Sequence, residues 1–264
     1  MRWGIICVRC RRVAPKKTAD TDAIFAQLSK VRIAAADDAT VLRLSLDAKA
    51  TVLVGDYARG GKTCVVVKAA DHDFHPTDKV TPYGILLPDH DRLYLYFTGS
   101  RVTSDFIVDC LTDCWQQLRQ EFPQVTTLVL HQDNGPENHS RRTQFIQRLI
   151  HFVDAFQLVV QLAYYPPYHS KYNPIERVWG ILEQHWNGAL LDSLQTVLNF
   201  AQSMTWQHLH PTVTFVQTAY QTGVRLSQAA MQQLEQRLDR LHHLKRYFVS
   251  IRPLPPTNTG SLFC

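Results

Sequence analysis

The order in which β-rich and helical segments follow one another constrains this chain more than any other feature. Three β-branched and aliphatic segments come first, at residues 41–55, 62–70 and 92–99, and turn residues separate them. Helical and strand patterns alternate afterwards, which gives the order β-β-β-α-β-α-β-α. The first three strands are expected to form an antiparallel meander, whereas strands joined through helices run parallel. The sequence therefore predicts an α/β domain built on a mixed sheet.

Helical patterns flank this predicted sheet on both sides. Residues 20–33 form an amphipathic helix ahead of it, and Ser104 is expected to cap the helix after the third strand. Beyond Gly188 the pattern is helical again. Four apolar residues repeat there at spacings of three and four: Met231, Leu234, Leu238 and Leu241. Two heptads are too few to establish a coiled coil, so we expect these side chains to pack on the core.

Three acidic residues stand at distinct places among these elements. Asp47 lies within the first β-rich segment, and Asp133 directly follows the strand TTLVLHQ. Glu176 lies in the first turn of a helix that Asn173 and Pro174 open. If the two strands are neighbours and the helix packs across them, the three carboxylates converge. Such a group suits two divalent metal ions, the equipment for cutting and joining phosphodiester bonds.

Each of these positions also has a structural interpretation. With Asn173 as N-cap, Glu176 would complete a capping box and complement the helix dipole. Asp133 precedes Asn and Gly, which is good turn chemistry. Glu183 lies seven residues after Glu176 on the same helix face and is the nearest substitute ligand. An unpaired buried carboxylate at Asp47 would be costly, so that residue requires a metal or a cationic partner.

The segments around the acids resemble the DDE transposases of bacterial insertion sequences, and in particular the ISAzo-type transposases, which are related to the Tc/mariner superfamily. The stretches that carry the resemblance are GDYARGGKT, DHDFHP, SDFIVDCL, DNGPENHSRRTQF and QLAYYPPYHSKYNPIERVWG. The resemblance implies an RNase H-like catalytic core. It also implies that Asp47 in SLDAKA, Asp133 in DNGPEN and Glu176 in NPIE are catalytic and hold two Mg²⁺ ions, with Mn²⁺ as a substitute.

This resemblance divides the chain into four regions. Residues 1–40 are a basic N-terminal segment, which we interpret as the remnant of a recognition region. Residues 41–187 are the RNase H-like DDE catalytic domain. Residues 188–252 are a C-terminal helical extension, and residues 253–264 are a flexible tail that contains several prolines.

Charge is distributed unevenly along the chain. The net charge is +5, but residues 1–17 hold six basic residues and no acid, which leaves 22 basic against 23 acidic residues elsewhere. Affinity for DNA must therefore come from local groups, such as the aromatic and basic side chains interleaved in AYYPPYHSKY. The residues expected to contact DNA are Arg141, Arg142, Tyr168, His169, Lys171 and Arg177.

Composition excludes several other classes of protein. Six cysteines in 264 residues do not form a disulfide framework, and no secretory segment precedes them. No run approaches the length of a membrane helix. We therefore expect no membrane partner and a cytoplasmic location, associated with the nucleoid when DNA is bound. Cys7 and Cys10 form a CxxC pair without a matching second pair, so the sequence assigns them no role.

The resulting hypothesis is a DNA transposase that catalyses metal-dependent strand cleavage and strand transfer of an insertion sequence, either alone or as a homo-oligomer on DNA. Two alternatives stay open. One is a truncated, inactive remnant with residual DNA binding, because the residues before Asp47 show one helix rather than an array of helix-turn-helix motifs. The other is an RNase H-type nuclease that never joins strands.

Overall fold

The computed structural model describes residues 15–56 and 78–255. Within these ranges it contains six α-helices, nine β-strands and one short 3₁₀ turn. The helices are α1 (Thr21–Ala36), α2 (Ser104–Leu118), α3 (Thr143–Phe156), α4 (Ile175–His185), α5 (Leu194–Ser203) and α6 (Gln228–Glu235), and the 3₁₀ turn is Ser170–Tyr172. The strands are β1 (Val41–Ala48), β2 (Val52–Val54), β3 (Asp78–Leu87), β4 (Arg92–Thr98), β5 (Thr127–Gln132), β6 (Val159–Tyr164), β7 (Thr212–Val216), β8 (Leu238–Arg240) and β9 (Phe248–Ile251).

The strands form a mixed sheet in the order β7-β4-β3-β1-β5-β6-β9-β8, and β2 pairs with β3. At the centre, β3 runs antiparallel to both β1 and β4. In contrast, β1, β5 and β6 run parallel to one another, because helices α2 and α3 connect successive strands across the sheet. The predicted mixed sheet is confirmed, and so is the alternation of helices and strands that follows the first, antiparallel strands.

The side chains of the central strands alternate between two faces. On one face, Leu44 and Leu46 of β1 pack with Leu130 of β5 in the largest core cluster, to which α2 and α3 contribute. On the other face, α4 and α5 cover β3 and β4, with Trp179 at the contact. The remaining part of that face, over β5 and β6, is covered by α1 through Ile24 and neighbouring apolar residues. Ser45 and Asp47 alternate with these leucines, so they face α4.

The meander differs from its predicted boundaries. Its middle strand is β3, a segment that was not predicted as a strand, whereas the strand predicted over residues 62–70 lies outside the described residues. The segment predicted as one strand over residues 41–55 forms two strands, β1 and β2. Near the start of α2, the N-cap is Thr103 instead of Ser104: the Thr103 hydroxyl accepts a hydrogen bond from the Phe106 amide at 3.3 Å.

The prediction of helices beyond Gly188 was incomplete. Helices α5 and α6 lie there, but so do three short strands that extend both edges of the sheet: β7 pairs with β4, and β9 pairs with β6. A continuous helix through the apolar repeat was wrong, because α6 ends at Glu235 and Leu238 belongs to β8. The expected packing is confirmed, since the repeat residues contact the core clusters.

Three further expectations concern the ends of the chain. The predicted helix over residues 20–33 is confirmed as α1, which packs on the sheet. Cys7 and Cys10 lie outside the described residues, as does the tail beyond residue 255. No helix in the described ranges has a stretch long and apolar enough to cross a membrane.

Candidate active site

Two of the three predicted acids lie level with each other at the ends of adjacent parallel strands. The register of β1 and β5 pairs Leu44 with Leu130 and Ser45 with His131. Two residues further along each chain, the same register brings Asp47 opposite Asp133. Asp47 projects from β1 to the face that α4 covers, and Asp133 directly follows the end of the neighbouring β5.

Helix α4 brings the third acid to this edge of the sheet. Glu176 lies in its first turn, and one turn further on Trp179 donates a hydrogen bond from its indole nitrogen to the Asp47 carboxylate at 2.9 Å. The close approach of the helix depends on Gly84, which pairs with Asp47 across β1 and β3. A Cβ atom at Gly84 would stand 2.8 Å from side-chain carbons of both Ile175 and Trp179.

The start of α4 is attached to β1 by a set of buried hydrogen bonds, which we call the β1–α4 clamp. The Ser45 hydroxyl accepts from the Ile175 amide at 3.0 Å and donates to the Asn173 side-chain oxygen. The Asn173 side-chain nitrogen donates to the Leu46 carbonyl at 2.9 Å. Ser45 and Asn173 are almost completely buried. The clamp therefore fixes the first turn of α4, and with it Glu176, against β1.

This arrangement overturns the capping-box interpretation of Glu176. The Asn173 side chain contacts β1 instead of the helix, and the residue in the N-cap position is Pro174, which makes no side-chain cap. The Ile175 amide finds its acceptor in Ser45, 130 residues away in sequence. The local sequence indicated a cap because Asn followed by Pro and Glu is common at the start of a helix. The hydrogen-bond partners of Asn173 and of the Ile175 amide instead belong to β1.

The surroundings of Asp47 favour the protonated, neutral form of its carboxyl group. Burial raises its pKa, and the negative charges of Asp133 and Glu176 raise it further, against the hydrogen bond from Trp179, so that the pKa is about 7. The contribution of both other acids places the three carboxylates within electrostatic range of one another. A group that is this hard to ionise by itself favours a cation at the site.

The three carboxylates are near enough to affect the pKa of Asp47, but they do not enclose a metal-sized position. In residues 15–56 and 78–255 no three His, Cys, Asp or Glu side chains stand close enough to enclose a metal ion. The chemistry of the three side chains nevertheless suits a hard divalent cation, because all three are carboxylates and the charges of Asp133 and Glu176 add to the effect of burial in raising the pKa of Asp47.

The other nearby acids are engaged elsewhere. Glu183, considered as a substitute ligand, forms an ion pair with Lys49 and accepts a hydrogen bond from the Trp186 indole at 2.9 Å. Glu137 forms an ion pair with Arg142 and accepts a hydrogen bond from the Ser104 hydroxyl at 3.1 Å, at the start of α2. Both carboxylates therefore have structural partners.

Asn138 is a contact of Asp133 that the sequence did not single out. Its side-chain nitrogen donates to the Gln132 side chain and to the Asp133 carbonyl, both at 3.1 Å, and approaches the Asp133 carboxylate at 3.4 Å. The Tyr164 hydroxyl in turn donates to the Asn138 carbonyl at 2.6 Å. These bonds hold the loop after β5 folded back on the strand end and restrict where Asp133 can point.

Some of the residues expected to contact DNA are exposed, whereas others are buried or engaged in contacts within the protein. Tyr168 and Lys171 are exposed on the segment leading into α4, and Arg177 is exposed in the first turn of that helix. His169 is only 4% exposed; its Nδ1 lies 2.7 Å from the Pro167 carbonyl, and its ring packs on Phe25. Because its ring is buried, His169 supports the loop by packing and is not available to contact DNA.

The two neighbouring arginines of the loop after β5 also differ. Arg142 is committed to Glu137 and largely buried. Arg141 is exposed and, together with Arg225, lines a cleft of about 490 Å³ next to the loop that follows Asp133. Sequence analysis missed Arg225, because nothing in its local context links it to residues more than 80 positions earlier.

A family model described as the Rhodopirellula transposase DDE domain matches residues 8–253. No curated protein matches the chain in sequence.

Solved structures give a second comparison. The chain is similar to the structure titled "Mos1 transposase paired-end complex with left transposon end", with a TM-score of 0.50, 14% identity and coverage of 75% of this chain and 58% of that chain. It is also similar to the "Mos1 mariner paired end complex with Mn", with a TM-score of 0.49, 12% identity and the same coverage, 75% and 58%. The first likeness shows a shared fold and confirms the predicted RNase H-like class. The chain spans 58% of the length of that solved protein.

Proposed function

Because the chain belongs to the family of transposase DDE domains, we propose that it cleaves DNA strands and transfers the cleaved ends to target DNA. The observation that supports this most directly is the convergence of Asp47, Asp133 and Glu176. Two adjacent parallel strands present the aspartates at one level, and α4 crosses the same face with the glutamate in its first turn. Catalysis of phosphoryl transfer depends mainly on positioning and electrostatics, and this arrangement provides both.

Members of this family use divalent metal ions. We propose that Asp47, Asp133 and Glu176 hold two Mg²⁺ ions, with Mn²⁺ as a substitute. Ions bound there would stabilise charge on the phosphoryl oxygens and lower the pKa of the attacking hydroxyl. Asp47 would bind in its ionised form, which requires loss of the proton that its raised pKa favours.

The residues around the acids keep them in place. The Trp179 indole restricts the rotation of the Asp47 carboxylate, and Asn138 restricts the loop that carries Asp133. The β1–α4 clamp sets the distance between Glu176 and β1. Such preorganisation matters because misplacement of a reacting group by about 1 Å costs on the order of 10²-fold in rate.

Exposed basic and aromatic residues next to the acids would position the DNA. Lys171 and Arg177 flank Glu176 in sequence, and the exposed Tyr168 and Tyr172 offer rings on which unpaired bases can stack. Arg141 would contact phosphates from the other side, beside the loop after β5. Contacts of this kind position a duplex without reading its sequence.

A strand-transfer assay tests the proposal. Purified protein is mixed with a labelled DNA duplex bearing the ends of an insertion sequence, a supercoiled plasmid and Mg²⁺. Joining of label to plasmid is the expected result. Cleavage without joining would instead identify a nuclease, and binding without either reaction would contradict the assigned activity.

A further inference from the structure

A second cleft, which we call the β3–α2 cleft, lies at the same end of the sheet as the acids. Its volume is about 390 Å³. It is lined by residues of β3, of the segment before β2 and of the loop between β4 and α2: Ala48, Thr51, Lys79, Thr81, Gly99, Ser100, Arg101 and Val102. Two of these are cations and three carry hydroxyl groups. No acidic residue lines the cleft within the described part of the chain.

Within the described residues, no acid forms an ion pair with either cation of this cleft. Lys79 and Arg101 are both exposed, and neither has an ion-pair partner among residues 15–56 and 78–255. By contrast, other basic residues of the molecule, such as Arg142 and Arg237, are paired with acids. Unpaired cations that share a concave surface concentrate positive potential there.

The hydroxyl groups add hydrogen-bond donors to the same surface. The Ser100 hydroxyl accepts from the Tyr220 amide at 3.1 Å, which leaves its own proton available for a ligand. The hydroxyls of Thr51, which directly precedes β2, and of Thr81 in β3 are 2.8 Å apart, so one of the two can donate outward. Hydroxyl donors beside Lys and Arg are typical of contacts to the DNA backbone.

The cleft is adjacent to the acids but lies on the opposite side of the sheet end. Ala48 lines it and directly follows Asp47 in β1, while Arg101 and Val102 lead into α2, which packs on the face away from α4. If a DNA strand places one phosphate at the acids and continues beyond the end of β1, its next phosphates would therefore enter this cleft.

We propose that the β3–α2 cleft binds successive phosphates of the DNA strand on which the carboxylates act. This inference rests on the proposed function and adds a binding site to it. Two cations on different elements suit a chain of phosphates, and the apolar Ala48 and Val102 suit the sugars between them. Lys79 and Arg101 are positioning residues, since they hold the strand and lie outside the carboxylate group.

The test is a DNA-binding titration of the double variant Lys79→Gln/Arg101→Gln. Binding of a fluorescein-labelled duplex of mixed sequence is followed by anisotropy without metal at several salt concentrations. Loss of two phosphate contacts should weaken binding and reduce the slope of log affinity against log salt by about 1.8, at about 0.9 per contact. The control is Lys30→Gln/Arg119→Gln, which removes the same charge from exposed residues of α1 and of the far end of α2.

The outcomes separate this inference from the proposed function. A lower slope in the first variant alone supports the cleft, even if the wild-type protein fails to cleave DNA. Equal slopes in the wild type and both variants would overturn the cleft, even if the wild type transfers strands normally. Equal reductions in both variants would show a general charge effect and would also overturn it. Thermal melting of each variant verifies that it is folded.

Discussion

At the scale of single residues, Asp47 links the electrostatics of the site to the stability of the fold. Its folded-state pKa is about 7, against an ordinary value of 3.8. The folded protein therefore retains a proton that the unfolded chain releases. This group contributes its full stabilisation below about pH 4, and that contribution is lost as the pH rises through about 7.

We predict that Asp47→Asn stabilises the metal-free protein in a pH-dependent way. Asparagine keeps an oxygen acceptor for the Trp179 indole but carries no charge. The free energy of unfolding should rise by up to about 4 kcal/mol at about pH 8 and change little at about pH 4. Urea denaturation with a chelator present measures this, with Asp78→Asn on the exposed part of β3 as the control. A gain independent of pH would refute the electrostatic explanation.

Gly84, at the contact between sheet and helix, and Gly180, on the exposed side of α4, offer a matched pair of substitutions. Gly84→Ala forces a Cβ atom against Ile175 and Trp179, so it should destabilise the protein by roughly 1–3 kcal/mol and impair cleavage. Gly180→Ala places a Cβ in open space on α4 and should stabilise the protein by up to about 1 kcal/mol. Denaturation and cleavage assays on both variants test this. Destabilisation by both to the same extent would contradict the close-packing argument.

At the scale of elements, the β1–α4 clamp is expected to matter for the site more than for the fold. Ser45→Ala leaves the buried Ile175 amide without its acceptor, which should cost about 1–3 kcal/mol, and it frees the first turn of α4. Thr103→Ala removes a cap of α2 at a cost of about 1 kcal/mol and serves as the control. Calorimetric titration with Mn²⁺ should show weaker binding for Ser45→Ala only. Equal Mn²⁺ affinities in the two variants would show that the clamp has only a structural role.

The elements also show which parts of the structure the sequence can predict. The strands that carry Asp47 and Asp133 are long apolar runs, so their existence was visible locally. The sequence did not show that the two aspartates lie level with each other, because that depends on a register between residues 86 positions apart. Strand β3 was missed since it contains Pro82 and Gly84, which disfavour a strand reading, although Gly84 is what admits α4.

Short elements that depend on tertiary pairing were the least predictable. Strands β7, β8 and β9 have three to five residues each and add to the two edges of the sheet. Asn173 had the local signature of a cap, yet its partners lie on β1. The acids themselves were predicted from their surroundings, whereas the residues that hold them, Trp179 and Asn138, became visible only when distant segments were brought together.

At the scale of the whole molecule, the proposed catalytic and DNA-binding residues lie at one end of the sheet. The parallel strands β1 and β5 end at the acids, α4 begins there, and two clefts lined by exposed arginines open beside them. Helices α2 and α3 cover the other face, where α2 joins β4 to β5 and α3 joins β5 to β6. The account therefore predicts one metal-dependent centre that serves both cleavage and strand joining.

The most direct test of that centre is metal-dependent cleavage by the acid variants. Asp47→Ala, Asp133→Ala and Glu176→Gln should each abolish cleavage of a labelled duplex in Mg²⁺ and in Mn²⁺ while melting as folded proteins. Glu183→Gln, seven residues along the same helix, should retain activity because its carboxylate serves Lys49 and Trp186. Near-normal cleavage by Glu176→Gln, or activity that depends on zinc and is unaffected by all three substitutions, would contradict the assignment of the active site.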